Sequence, residues 1–276
     1  MNTVRPDGAS ASGGATVARV HVVIAGGHGQ IALRLTALLA GRGDVVTGVV
    51  RNPDHRADVE GAGGRVAVLD LEAAGADDLA EHLRGADAVV FAAGAGPGSG
   101  VARKDTVDRA AAVLLADAAA AAGVRRYLLV SSMGVDDVGP DADPDDVWTA
   151  YLRAKKAAED AVRATELAWT VLRPGRLTDD PAAGTVLLGP SVPPGAVTRD
   201  DTAAVLAALL DAPGTAGQVL ELVEGDTDVL AAVAAAAAVG GAREGDEEPE
   251  PGDPTDATTV APADTAASAT SEEGSA

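Results

Sequence analysis

Cysteine is absent from the 276-residue sequence, and aromatic residues are scarce: two tryptophans, two tyrosines and one phenylalanine. The absence of cysteine excludes disulfides and thiolate metal sites, and it fits a reducing compartment. The four histidines, at positions 21, 28, 55 and 82, lack metal-ligand spacing, so we predict no metal site. With so few aromatics, we expect a core built from alanine, valine and leucine.

Positive charge is also in short supply, because 42 acidic residues face 21 basic ones and the net charge is −21. Phosphates would be repelled, which disfavours a nucleic acid partner or docking on an anionic membrane. No apolar run approaches the roughly 20 residues of a membrane span, and the N-terminus lacks a basic segment followed by an apolar one. We therefore expect a cytoplasmic protein with a small-molecule substrate, and both a monomer and a homodimer stay open.

Composition divides the chain into three parts. Residues 1–16 are rich in glycine, serine and alanine, so we expect a flexible leader there. Residues 240–276 hold ten acidic residues and one arginine among small and polar residues, which predicts a disordered acidic tail. The intervening residues 17–239 are predicted to form one folded domain.

Within this domain, short apolar runs alternate with segments of helical periodicity. The predicted strands are 20–25, 45–50, 66–69, 88–91, 127–130, 169–172 and 219–223. The predicted helices include 105–122, 146–165, 199–210 and 226–239. Continuous apolar strands indicate burial on both faces, so the pattern predicts an α/β fold with a Rossmann-type, doubly wound parallel sheet. The residues that follow Pro174, including 175–196 and the helix 199–210, are expected to form a small C-terminal lid and not a second domain.

A glycine-rich loop joins the first predicted strand to the first helix. Gly26, Gly27 and Gly29 lie within four residues, and Ala32 follows where a small residue permits close packing of helix and strand. Such a loop lets the backbone approach a diphosphate, and the N-terminus of the following helix attracts its charge. The alternative is an ordinary glycine-rich turn. The predicted cofactor contacts here are Gly26, Gly27, His28, Gly29, Gln30 and Ile31.

The second predicted strand is followed by Arg51 and Asn52, and by no carboxylate of the kind that grips the ribose of NAD. The planar guanidinium of Arg51 suits a 2′-phosphate. We therefore predict binding of NADP(H) in preference to NAD(H). The alternative for Arg51 is a solvated charge at the end of a strand.

Two further strand ends complete the predicted cofactor site. Asp70 and Leu71 follow the third strand, where Asp70 either binds the adenine amino group or caps a helix. The small residues Ala92, Ala93 and Gly94 follow the fourth strand and leave room for ribose and nicotinamide.

Tyr151 and Lys155 are four residues apart on a predicted helix and share one face. A neighbouring ammonium lowers the pKa of a phenol, which would make Tyr151 useful in proton transfer. Ser131 and Ser132 end the fifth strand, and a serine hydroxyl can hold a substrate oxygen. The alternatives are a chance Tyr-Lys pair, a salt bridge from Lys155 to Glu159 on a solvated face, and serines that close a turn.

Taken together in this order, the motifs resemble the short-chain dehydrogenase/reductase superfamily, in particular its atypical, epimerase-like members. The motifs are Gly26 to Ala32, Arg51-Asn52-Pro53, Leu69-Asp70, Ala92-Ala93-Gly94, Ser131-Ser132-Met133, Tyr151 with Lys155, and Leu172-Arg173-Pro174-Gly175. The resemblance implies catalytic roles for Ser132, Tyr151 and Lys155. It also implies that Lys155 contacts the nicotinamide ribose and that Pro174 lies near the nicotinamide. Ala32 departs from the family's final glycine, and the offset from Ser132 to Tyr151 is unusual.

These observations favour an NADP(H)-dependent oxidoreductase that acts on a small carbonyl, quinone or flavin-like acceptor. Two alternatives stay open. One is a non-catalytic NADP(H)-binding redox sensor. The other is an NAD(P)-dependent sugar epimerase or dehydratase, which would need a substrate domain that the sequence does not show.

Overall fold

A computed structural model describes residues 19–96 and 98–244. Its central sheet has nine strands in the order β11-β8-β10-β6-β5-β4-β1-β2-β3. A separate two-stranded sheet pairs β7 with β9. The strands are β1 His21–Ala25, β2 Val45–Val50, β3 Arg65–Val68, β4 Ala88–Phe91, β5 Arg126–Val130, β6 Ala168–Pro174, β7 Arg176–Thr178, β8 Thr185–Gly189, β9 Ala196–Thr198, β10 Gln218–Glu224 and β11 Thr227–Asp228.

The neighbouring strands β3-β2-β1-β4-β5-β6-β10 are all parallel, whereas β8 pairs antiparallel with β10 and with β11. The order β3-β2-β1-β4-β5-β6 reverses direction between β1 and β4. In open α/β sheets, ligands bind at such a reversal, beyond the carboxyl ends of the strands. The predicted Rossmann-type sheet is therefore confirmed, and its topology locates the expected site.

Helices cover both faces of the sheet. They are α1 Gln30–Gly41, α2 Arg56–Gly61, α3 Ala76–Leu83, α4 Val101–Arg103, α5 Ala111–Ala122, α6 Val147–Arg163, α7 Arg199–Leu210 and α8 Val229–Glu244. On one face α1 packs against α7, and on the other α5 packs between α3 and α6. Short 3-10 turns occupy Pro53–His55 and Pro213–Thr215, and the segment Lys104–Ala110 is π-helical.

The core consists of two apolar layers, one on each face of the sheet, built mainly from valine, leucine and alanine. Phe91 and Tyr127 are the largest side chains among the fully buried residues described. The expectation of an aliphatic core is thus confirmed.

The structure differs from the sequence-based expectation in three places. The expected lid contains β7, β8 and β9, and β8 extends the main sheet. Helix α8 continues through Gly240 and Gly241 to Glu244, past the expected boundary at residue 239. The expected helix 105–122 is π-helical at its start. The leader 1–16 and residues 245–276 of the predicted tail lie outside the described residues. In the described part of the chain, no helix is long and apolar enough to cross a membrane.

Leu128 in the central strand β5 provides a test of the core. It is 1% exposed, whereas Leu230 on α8 is 70% exposed. We expect Leu128→Ala to lower the free energy of unfolding by about 2–5 kcal/mol, because it removes buried contacts and leaves a cavity. Urea denaturation measures the change. Leu230→Ala is the matched control and should change the free energy of unfolding by less than about 0.5 kcal/mol. Equal losses of unfolding free energy in the two variants would contradict a core that includes Leu128 and excludes Leu230.

Candidate cofactor and active site

The glycine-rich loop owes its shape to close contacts with neighbouring strands. Gly26 has a φ of +81°, and a Cβ there would lie 2.5 Å from the Cα of Ala93. A Cβ on Gly27 would lie 2.5 Å from the Cα of Gly48. Both contacts are too short for any side chain, so the loop can take this path only with glycine at both positions.

The loop leads directly into the N-terminus of α1. Gly29 is the N-cap of α1, and its carbonyl accepts the first intrahelical hydrogen bond, from Leu33, at 2.9 Å. Helix geometry leaves the N–H groups of residues 30–32 without intrahelical acceptors, and the helix dipole adds partial positive charge. The Gly27 N–H is already used, because it donates to Val49 O at 2.9 Å. This helix end therefore suits an anion such as a diphosphate.

A cleft of about 260 Å³ opens at the ends of β1 to β4. Nine of the predicted cofactor contacts line it: Gly26, His28, Gly29, Arg51, Asp70, Leu71, Ala92, Ala93 and Gly94. The remaining predicted contacts, Gly27, Gln30, Ile31, Asn52, Lys155 and Pro174, are not part of its lining. The cleft thus combines a helix N-terminus, a guanidinium and a floor of small residues, which fit the diphosphate, phosphate and ribose of a dinucleotide.

Two of the six residues outside the lining, Asn52 and Pro174, form local structural hydrogen bonds, and Asp70 of the lining has a different role from the alternative considered for it. Asn52 accepts a hydrogen bond from the Asp54 N–H and caps the turn after β2. The carbonyl of Pro174 accepts from the Met133 N–H at 3.0 Å and ties the end of β6 to the loop after β5. Asp70 is not a helix cap, since Gly75 precedes α3.

The Arg51 guanidinium is not simply solvated. It donates to the Glu72 carboxylate at 2.8 Å, and Glu72 also accepts from Arg103 at 2.7 Å and from the Thr106 hydroxyl at 2.7 Å. Hydrogen bonding to Arg103 and Thr106, with the charge of Arg51, lowers the pKa of Glu72. The sequence pattern does not indicate this bridge, because Glu72 lies in the loop after β3 and its partners come from other parts of the chain.

Two histidines line the same cleft, and only one of them was predicted to do so. The rings of His28 and His55 stack with centroids 3.6 Å apart. The Nε2 of His28 lies 2.7 Å from a carboxylate oxygen of Asp58 on α2. These contacts hold the loop after β1 against the turn after β2.

The two serines after β5 have different surroundings. Ser131 is buried and donates to Glu159, which is in turn held by the Arg173 guanidinium at 2.6 Å. Ser132 donates to the Met133 carbonyl, and its hydroxyl is near enough to the Tyr151 phenol to lower the pKa of that phenol. Of the two, Ser132 is therefore the one placed beside the predicted catalytic tyrosine.

Lys155 lies inside the protein rather than on a solvated face. It is 4% exposed and donates to Val130 O at 3.0 Å, while its Nζ lies 3.5 Å from Asp108 and 5.8 Å from the Tyr151 ring centroid. The alternative of a surface salt bridge to Glu159 is wrong, since Glu159 is fully buried and bound to Arg173.

The expectation that Lys155 lowers the pKa of Tyr151 is also wrong. Burial, together with the negative charge of Asp108, raises the Tyr151 pKa to about 12, and the nearby Ser132 hydroxyl offsets only part of this rise. Asp108 was missed because the sequence pattern predicts an ordinary α-helix over 105–122. The wider π-helical turn alters which side chains of this segment face inward.

Tyr151 is flanked on its outer side by Trp148. The indole is 61% exposed and stacks on the Tyr151 ring, with centroids 5.2 Å apart. On another side, Lys104 Nζ lies 5.4 Å from the same ring centroid. The ring of Tyr151 is therefore placed between an exposed aromatic surface and a buried charged cluster.

Comparison with known proteins agrees with the fold. Residues 26–213 match the model of a family described as NAD(P)H-binding. A Bacillus subtilis protein named as an uncharacterized sugar epimerase, YhfK, is 32% identical over 213 residues, which cover 77% of this chain and 98% of that protein.

Two solved structures are also similar. A Bacillus halodurans protein, provisionally named an NAD-dependent epimerase/dehydratase, shares 31% identity with a TM-score of 0.71, over 78% of this chain and 99% of its own. ChuY of Escherichia coli O157:H7, titled an anaerobilin reductase, shares 26% identity with a TM-score of 0.62, over 76% of this chain and 99% of its own.

The contrasting serines make a testable pair. We expect Ser131→Ala to lower the free energy of unfolding by about 1–3 kcal/mol, because the buried Glu159 loses a hydrogen bond. Ser132→Ala, the matched control, should cost less, since Ser132 is only partly buried and its hydroxyl bonds a local carbonyl. Urea denaturation of both variants measures the difference. A larger loss of unfolding free energy in Ser132→Ala than in Ser131→Ala would contradict the assignment of Ser131 as the serine that stabilises the fold.

Proposed function

The chain belongs to the NAD(P)H-binding family of oxidoreductase-like and epimerase-like proteins, and on that basis we propose that it is an NADPH-dependent reductase of the atypical short-chain dehydrogenase/reductase type. Its acceptor is a small carbonyl, quinone or flavin-like compound. The observation that carries the proposal is the continuity of the site. The helix N-terminus and cleft lie at the ends of β1 to β4, and Ser132 with Tyr151 lies at the end of β5, the next strand of the sheet.

The proposed chemistry is addition of two electrons and two hydrogens to the acceptor. Bound NADPH would supply the hydride to the electrophilic atom. The Ser132 hydroxyl holds the acceptor oxygen by a hydrogen bond, and Tyr151 donates its proton to that oxygen. The resulting phenolate regains a proton from water, which completes the cycle. Lys155, hydrogen-bonded to the Val130 carbonyl, lies with its Nζ 5.8 Å from the Tyr151 ring centroid.

One observation favours a reductase over an epimerase. Between β6 and α7, the described chain forms short strands that extend the sheet or pair locally, and it does not form a separate sugar-binding domain. The anaerobilin reductase ChuY supports this reading by analogy.

Trp148 supports a flat, conjugated acceptor. Its exposed indole beside Tyr151 offers a stacking surface of the kind that planar rings use. In a chain with so few aromatic residues, an exposed tryptophan next to the proposed proton donor fits substrate binding better than packing.

The proposed preference for NADPH rests on Arg51. Its guanidinium lies at the cleft wall, where a 2′-phosphate could replace the Glu72 carboxylate as its partner. Arg103 already binds the same carboxylate, so Glu72 would keep a partner after the exchange.

Substitution of Arg51 tests the cofactor preference. We expect Arg51→Ala to raise the Kd of NADPH by about 10-fold or more through loss of a charge-assisted hydrogen bond, and to leave the Kd of NADH within about 2-fold. Isothermal titration calorimetry measures both. Glu72→Gln should tighten NADPH binding, because Arg51 is released from its competitor. The control is Arg84→Ala, which removes a remote exposed guanidinium. Tighter binding of NADH than NADPH by the unaltered protein would refute the preference.

The two tyrosines provide a matched test of turnover. We expect Tyr151→Phe to lower kcat/KM by about 10²–10⁴-fold, the range of a lost general acid. Tyr127→Phe, which removes a buried hydroxyl bound to the Ala112 carbonyl, should leave kcat/KM nearly unchanged. NADPH oxidation at 340 nm with quinones, aldehydes and flavins provides the assay. Activity unaffected by Tyr151→Phe would remove Tyr151 from the mechanism, and cofactor binding without turnover on any acceptor would favour a sensor.

A further inference from the structure

The two stacked histidines lie at the wall of the cofactor cleft, and His55 has no role in the site so far. His28 precedes Gly29, the N-cap of α1, and His55 ends the 3-10 turn after β2. Both line the cleft, and their ring planes are within 10° of parallel. The pair therefore joins the loop that suits a diphosphate to the segment that begins with Arg51.

The two rings are engaged differently. The Nε2 of His28 is used, because it lies 2.7 Å from a carboxylate oxygen of Asp58. The half-buried ring of His55 stacks on His28 and has no hydrogen-bond partner within residues 19–96 and 98–244. Its two nitrogens are therefore available to a ligand in the cleft. A protonated imidazole donates from both nitrogens and carries a positive charge, which suits a phosphate oxygen.

The cleft has no surplus of positive charge to meet a phosphate. The charged residues of its lining are two guanidiniums and two carboxylates: Arg51, Arg103, Asp70 and Glu72. Glu72 already binds both guanidiniums, and Asp58 beside His28 adds a third carboxylate. Three carboxylates thus face two guanidiniums, and a proton on the stacked pair would restore the balance.

The chain neighbours of His55 leave this balance unchanged. Asp54 and Arg56 carry opposite charges, and both are exposed to solvent. Arg56 also pairs with Glu60 at 3.1 Å, along α2 and away from the stack. The imidazoles are therefore the groups of this wall that can gain positive charge near neutral pH.

We propose that His55 is a cofactor-binding residue: the stacked pair contacts a phosphate group of the adenosine half of the dinucleotide and takes up a proton as that phosphate binds. Two protonated rings with centroids 3.6 Å apart would repel one another, so the pair takes up one proton and not two. The identity of the ligand rests on the proposed function.

The sign of the pH dependence follows from linkage. A nearby anion favours the protonated form of an imidazole, so phosphate binding draws a proton from the buffer. By reciprocity, the affinity for the dinucleotide rises as the pH falls through the region near 6.5 where imidazoles ordinarily titrate. The change makes cofactor occupancy sensitive to pH at a wall of the cleft that touches no reacting atom.

Isothermal titration calorimetry measures the uptake directly. NAD⁺ is titrated at about pH 6.5 in MES, ACES and bis-Tris, and the slope of observed enthalpy against buffer ionisation enthalpy gives the protons taken up. NAD⁺ is stable in mild acid and has no group that titrates there. We expect about 0.3 proton or more for the unaltered protein. His55→Phe keeps a flat ring on His28 and should reduce the uptake below about 0.1.

The affinities should follow the same pattern. Between about pH 6 and pH 8.5, the Kd of NAD⁺ should rise about 5-fold or more in the unaltered protein and less than about 2-fold in His55→Phe. His82→Gln is the matched control, because it removes an exposed histidine of α3 that does not line the cleft. Uptake that is unchanged in His55→Phe, or lost equally in His82→Gln, would overturn the proposal.

A parallel titration with NADP⁺ identifies the phosphate. The 2′-phosphate also titrates near this pH, so the readout is the difference in uptake between the unaltered protein and His55→Phe. An equal difference for both cofactors assigns the contact to the diphosphate, and a larger one for NADP⁺ assigns it to the 2′-phosphate. No difference with either cofactor would contradict the inference.

An NMR measurement provides an independent test. The ring Cε1–H signal of His55, assigned by its absence from His55→Phe, should move toward the protonated position when cofactor is added at constant pH. If the phenylalanine variant does not fold, His55→Gln provides both the assignment and the calorimetric comparison. A His55 signal that does not move on saturation with cofactor would refute the proposed contact.

The failure of this inference is distinguishable from failure of the proposed function. Adenosine 2′,5′-bisphosphate lacks the nicotinamide and tests the adenosine half alone. Binding of this compound with His55-dependent proton uptake, but without NADPH oxidation by any acceptor, would overturn the reductase and keep the His55 site. Cofactor binding and turnover without proton uptake would overturn the His55 site and keep the reductase.

Discussion

The close contact of two glycines with neighbouring strands determines the geometry on which the cleft depends. Gly26 lies against the backbone of Ala93 and Gly27 against Gly48, so the loop after β1 passes between β4 and β2 at the point where strand order reverses. This path places the N-terminus of α1 at the carboxyl ends of the strands.

Much of the fold could be predicted because parallel strands buried on both faces leave a clear pattern. The strand 88–91 and the helix 199–210 coincide with β4 and α7. The strands β7 to β9 could not be predicted in the same way. They are short, lie among glycines and prolines, and form through pairing with β10 or with one another, which is a tertiary effect.

The site shows the same division between local and non-local information. The glycine loop, Arg51 and the Tyr151–Lys155 spacing are local patterns, and the structure places the loop and Arg51 at one cleft. Glu72 and Asp108 could not be inferred, because their importance depends on partners from other elements. A π-helical turn changes side-chain direction without a sequence signature that periodicity detects. The expected lowering of the Tyr151 pKa by Lys155 is wrong for this reason, because the π-helical turn places Asp108 beside Lys155.

The bridge of Arg51, Glu72 and Arg103 has a consequence for how this strongly acidic protein accepts an anion. Two guanidiniums that would repel one another are bridged by the Glu72 carboxylate, so the side chains at the rim of the cleft already have fixed partners. An anion that binds at Arg51 would meet a guanidinium that is already in place. The entropy cost of ordering these side chains then falls on folding and not on binding.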